Sequence, residues 1–181
     1  MLQITIPAIE QWDEHKQEFV QTKGRMLQLE HSLVSLSKWE SKWNKPFLSK
    51  DDKTHEETLD YIKCMTITPN VDQDVYNGLT SEHISQINSY IEAPMTATTF
   101  REFKQGRTNR EIITAELIYY WMIALNIPFD PCQKWHLNRL LTLIRVCNIK
   151  NAPPKKMGKR ATVNQYAQLN AARRKQHNSK G

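Results

Sequence analysis

Cys132 and His136 stand four residues apart where a helix is expected to start, so both side chains can face one metal ion. A zinc site needs further ligands, however, and no second Cys or His pair lies near in sequence, while Trp135 and Leu137 mark a packing environment. His55, Glu56, Glu57 and Asp60 form an acidic group, but acids in the first turn of a helix ordinarily complement its dipole. HEETLD also lacks the second histidine of an H-E-x-x-H site. The five glycines are isolated from one another, so there is no phosphate-cradling loop, and no nucleophile–base signature is present. The expectation is a protein that is not an enzyme and uses no metal or cofactor.

Binding chemistry is better represented. Trp39 and Trp43 lie four apart with Lys38 and Lys42 beside them. That spacing suits a platform for stacked bases, an exposed hot spot for a protein partner, or a helix packing its tryptophans on the core. Residues 150–181 hold nine basic residues and no acidic one. The excess positive charge is therefore confined to this tail, and residues 1–149 carry a net of −3. A like-charged terminus is usually a solvated or interacting tail. It can neutralise phosphates, dock on an acidic helical partner, or simply solubilise the chain. The acidic body favours protein over nucleic acid, because dedicated nucleic-acid binders extend their basic surface onto the fold.

The elements that must position these residues follow from pattern. LQITI at 2–6 alternates up to Pro7 and predicts a strand. Residues 16–30 predict a hairpin turning at Lys23-Gly24, with Phe19 and Val20 on one arm and Met26, Leu27 and Leu29 on the other; a short helix around Trp12–Phe19 is the alternative. A helix over Ser32–Trp43 closes before Pro46, and Thr54 to Glu57 is a capping box opening a helix that runs up to Pro69. Another helix starts at Thr80 and ends before Pro94. Residues 108–150 form the organising segment, two apolar helices joined by a corner. The first opens on a Thr108–Glu111 capping box, and its apolar face is broad enough to predict burial of most of it. The second takes Asp130 as N-cap and Pro131 as its first residue, with Arg139 and Arg145 facing outward.

The expected fold class is α+β and mainly helical: short N-terminal strands followed by about five helices and a basic C-terminal tail. The domain reading is 1–149 as one domain and 150–181 as a flexible arm, disordered or marginally helical until it meets a partner. No apolar run is long enough to span a membrane. The N-terminus has no signal-peptide pattern. Cys64, Cys132 and Cys147 share no CxxC spacing, which suits thiols in a reducing cytoplasm.

The runs SKWESKWNKPFL, KTHEETLDYIKCMTI, FDPCQKWHLNRLLTLIRVCNIKNAPPKKM and LNAARRKQ resemble the tail assembly chaperones of long-tailed bacteriophages, over most of residues 30–175. The resemblance implies a non-virion assembly factor of the host cytoplasm. Such a factor binds the helical tape measure protein and helps recruit tail tube protein around it, and homo-oligomers are compatible with the role. A groove built by the helices at 32–43, 54–67 and 108–148 would hold the partner helix. Trp39, Trp43, Arg173, Arg174 and Lys175 are the partner-binding residues this reading selects. A nucleic-acid-binding accessory protein using the tail, and a structural head–tail joining component of the virion, are the alternatives.

Overall fold

A computed structural model describes residues 1–13, 17–22, 24–100, 112–153 and 159–177. The chain divides into two compact units, Met1–Asn148 and Ile149–Gly181. The first unit opens with four strands, β1 (Leu2–Ile6), β2 (Ile9–Asp13), β3 (Glu18–Thr22) and β4 (Arg25–Leu29). β1 pairs antiparallel with β4, Leu2 opposite Leu29, and β2 pairs with β3, Ile9 opposite Thr22. One register therefore runs through both ladders, as in a long ribbon interrupted at Pro7 and Ala8. This corrects the expected pairing, since the strands on either side of Gly24 are not partners. Gly24 is needed for a different reason: a Cβ there would lie 2.8 Å from the Ala8 nitrogen and 3.1 Å from the Ile6 carbonyl oxygen. A glycine that permits close backbone approach carries the same local signature as one that makes a turn. Lys23 lies outside the described residues. Ile4, Ile6, Leu27 and Leu29 are buried while Thr5 and Met26 face out, the alternation of a sheet with one covered face.

Among the described residues seven α-helices follow: α1 (Leu33–Trp43), α2 (His55–Met65), α3 (Ser81–Glu92), α4 (Ala115–Ala124), the single turn α5 (Phe129–Cys132), α6 (Leu137–Asn151) and α7 (Lys159–Gln176). The arrangement is α+β and mainly helical. Capping explains several boundaries. Ser32 and Ser35 cap α1 reciprocally, Thr54 and Glu57 do the same for α2, and Thr80 and His83 for α3. α1 stops at Asn44, whose φ of 53° is the left-handed cap conformation. A 3-10 turn over Gln73–Gly78 buries Val75 and Tyr76.

Two expected boundaries move. The Thr108–Glu111 capping box lies outside the described residues; α4 begins at Ala115, where Thr114 accepts a hydrogen bond from the Leu117 amide. Asp130 has extended backbone angles and its bond to Pro131 is cis, so it does not cap a long helix. α6 starts instead at Leu137, whose amide donates to the His31 carbonyl at 2.7 Å. That donor is one of the orphans every helix N-terminus must satisfy, and here a residue more than a hundred positions away satisfies it.

The core of this unit centres on α1, which packs against both α2 and α4. Trp39 and Leu36 are buried in it, and Phe47 stacks on Tyr61 with ring centroids 3.8 Å apart. Glu40 is buried beside them at 7 % exposure, and both its oxygens are occupied. Oε1 accepts from the Phe47 amide at 2.8 Å and Oε2 from the Ala115 amide at 2.7 Å. The carboxylate thus holds the loop after α1 and the first residue of α4. Removing it strands two buried donors, at about 1–3 kcal/mol each. Glu40→Ala is expected to lower the unfolding free energy by about 2–6 kcal/mol, and Glu40→Gln by less, because the amide oxygen still accepts one bond. Urea unfolding checks this as a shift in midpoint at unchanged slope; an Ala variant with the wild-type midpoint would contradict it.

Candidate protein-docking site

The tryptophans chosen from sequence are placed in the core. Trp39 is 1 % exposed and its indole N–H donates to the Glu57 carbonyl at 2.9 Å. Trp43 is half-buried and its N–H donates to Asp60 Oδ2 at 2.9 Å. Asp60 also takes Lys42, and Glu57 takes Lys45 on one oxygen and the Thr54 amide on the other. Lys45 and Thr54 together hold the Glu57 carboxyl below the usual carboxylate range. Trp39 is thereby corrected from partner contact to core residue. An indole buries a large apolar body once its single donor finds an acceptor, and the carbonyl of α2 supplies one. The groove expected from the helices at 32–43, 54–67 and 108–148 is also revised, because α1 spends its apolar face on α2 and α4.

Arg173, Arg174 and Lys175 lie in the last turn of α7, fully in solvent. This segment was expected to be disordered or marginal; it forms an 18-residue helix. Alanines at 167, 171 and 172 favour the helix, and cations in its last turn complement the dipole. Every side chain described on α7 is exposed, including Val163, Tyr166 and Leu169.

Where the first unit does leave apolar surface open is α4. Ala115, Ile118 and Met122 face the core, whereas Tyr120 and Ile123 are 62 % and 63 % exposed, with Glu116 on the same side. Ile112, Ile113 and Phe129 add exposed apolar surface near its ends. The expectation that this helix is mostly buried is therefore corrected: it is apolar on two faces, and one of them is uncovered. Its apolar breadth was visible in the sequence, and broad apolarity fits an interaction surface as well as it fits burial.

Sequence reasoning missed the buried polar cluster at the start of α1 and α6. His31 and His136 are 2 % and 6 % exposed, with ring centroids 5.1 Å apart. His136 Nε2 donates to the Tyr90 carbonyl at 2.9 Å, and its Nδ1 accepts from the Asn138 amide at 3.3 Å. His31 Nδ1 and the Tyr61 hydroxyl share a hydrogen bond at 2.5 Å. His136 thus has both ring nitrogens engaged in the neutral form, and His31 is engaged through Nδ1. Burial and the neighbouring His136 push His31 down to about 3. Burial also lowers His136, partly offset by its bond to the Tyr90 carbonyl and by the Glu30 carboxylate. Glu30 in turn accepts from the Tyr90 hydroxyl and pairs with the Met1 ammonium.

With both ring nitrogens of His136 engaged, the Cys132–His136 pair offers no ligand set. Among the described residues no group of three or more His, Cys, Asp or Glu side chains is arranged to hold a metal ion. Nor is any described helix long and apolar enough to cross a membrane. No protein-family model, curated protein or solved structure matches the chain.

The histidine pair sets a pH dependence. A base whose folded value is depressed binds fewer protons folded than unfolded, so its stability is fully present above its ordinary value of 6.5 and is lost as pH falls toward about 3. The unfolding free energy should rise between pH 5 and pH 6.5 with a slope of up to about 1.4 kcal/mol per pH unit for each histidine. His31→Gln keeps an acceptor for Tyr61 and should lose the His31 share of that slope. Denaturant unfolding across the range checks it, and an unchanged slope in the variant would refute the assignment.

Proposed function

We propose that this protein is a non-catalytic assembly factor that binds a long amphipathic helix. More specifically, we read it as a bacteriophage tail assembly chaperone that acts in the host cytoplasm. In that role it holds the tape measure protein and helps tail tube protein gather on it. The observation that carries the docking part is the uncovered face of α4, where Tyr120 and Ile123 stand one helical repeat apart with a single charge, Glu116, beside them. A face of this kind takes a partner helix through anchors at three- and four-residue spacing. α7 supports the same reading: Val163, Tyr166 and Leu169 are exposed, and its basic end suits an acidic stretch of the partner. The identity of the partner rests on the resemblance across residues 30–175.

A second reading is favoured by one feature, the exposed Arg173, Arg174 and Lys175 on a helix whose sequence contains no acid. Such an end can bind nucleic acid through phosphate neutralisation, and its mark is affinity that falls steeply with salt.

Co-expression of the full chain with the tape measure protein separates these. Tyr120→Glu combined with Ile123→Glu should cut capture at least tenfold while leaving the unfolding midpoint unchanged, because both side chains are exposed. The wild-type complex should survive high salt. A charged variant that captures the partner as well as wild type removes the α4 face from the reading. Recovery of nucleic acid released by salt puts the second reading in its place, and retention of the protein in mature particles makes it a virion component.

A further inference from the structure

A groove of about 330 Å³ lies between α6 and the segment 94–100 that follows α3. One wall is a single stripe of α6, where Leu141, Thr142 and Arg145 lie at helical spacing. The other carries Thr96, Thr98 and Phe100. The two walls are tied together at one end, because Asn138 Nδ2 donates to the Ile91 carbonyl at 2.9 Å and the Ala93 carbonyl at 2.8 Å. The groove is therefore built before any ligand arrives.

Arg145 gives the groove its chemistry. Its guanidinium lies 4.1 Å from the centroid of the Phe100 ring. Among the described residues no carboxylate pairs with it and no oxygen accepts from it. A guanidinium held over an aromatic ring spends its contact on the π face, and its N–H donors suit a carboxylate bound in a fork. Stacking also fixes the side chain in advance, so less rotamer entropy is lost on binding. Leu141 offers an apolar contact one turn earlier. The rise between residues 141 and 145 is about 6 Å, close to the roughly 7 Å between residues i and i+2 of an extended chain.

The geometry points to a peptide-docking groove whose occupant is an extended partner segment with an apolar residue and, two positions later, an aspartate or glutamate. The apolar side chain rests on Leu141 and the carboxylate on Arg145. The groove is more open than enclosed, so it suits a chain laid across it better than a small molecule sealed within it. This surface is distinct from the α4 face and does not depend on the chaperone reading.

The test uses the full chain and a fluorescein-labelled octapeptide with Leu-Thr-Glu set in a Gly-Ser background, read by fluorescence anisotropy. Replacing the peptide Glu by Gln should weaken binding roughly tenfold. Arg145→Gln should do the same, with unchanged far-ultraviolet circular dichroism because Arg145 is exposed. The basic end of α7 is the competing site for an acidic peptide, so the variant with Arg173→Gln, Arg174→Gln and Lys175→Gln should bind as wild type does. No binding up to about 1 mM peptide, equal binding by Arg145→Gln, or loss of binding in the α7 variant would each overturn the proposal. None of these results bears on capture through Tyr120 and Ile123.

Discussion

The Met1–Asn148 unit depends on one buried carboxylate. Glu40 sits on the inner side of α1 and uses its two oxygens on backbone amides that are far apart in sequence, at Phe47 and Ala115. One bond fixes the chain as it leaves α1 and the other fixes the start of α4. Both donors are backbone amides, and the bond to Ala115 satisfies one of the amides that helix geometry leaves without a partner at the start of α4. α4 also presents its positive end to a negative group, so the dipole adds to the hydrogen bond. The placement of α4 follows from that anchor, and with it the direction in which Tyr120 and Ile123 face.

A second polar junction works by the opposite rule. His31 precedes the cap of α1 and His136 precedes α6, and the two rings meet where both helices begin. The residues are also joined through backbone, since Leu137 donates to the His31 carbonyl and Ser32 bridges to His136. Positive charge here would face burial, the other ring and two helix N-termini at once. Neutral imidazole avoids all three penalties while still accepting and donating. The unit therefore places a carboxylate at one helix start and two bases held toward the neutral form at two others, each set by the partners within reach. No buried side-chain nitrogen or oxygen among the described residues is left without a hydrogen-bond partner.

The surfaces left over are where binding has to happen. A helix that is apolar on two faces can satisfy only one of them inside a small unit, and α4 gives its inner face to the core. α7 gives up none of its described side chains to a core. Arg145 is a third case, a cation over an aromatic ring that pairs with no carboxylate among the described residues. The three suit different occupants: an apolar helix, an acidic stretch or phosphate, and an extended acidic segment.

Sequence alone determined what is local. The serine and threonine caps at 32, 54 and 80 mark helix starts because their hydroxyls bond amides three residues on, and that chemistry needs no distant partner. The α+β class and the separate charge of residues 150–181 were legible for the same reason. Tertiary structure decided whatever depends on which surfaces meet. Gly24 reads locally as a turn, yet Ala8 comes so close that no Cβ fits there. The spacing of Trp39 and Trp43 fits an exposed pair or a packed one, and the carbonyl and carboxylate acceptors on α2 decide for packing. Tyr120 and Ile123 belong to a run whose composition predicts burial, and only the packing of α1 against the other side of α4 leaves them in solvent. A hydrophobic pattern records which side chains avoid water. Which of them find cover within the chain is settled by the neighbours the fold supplies.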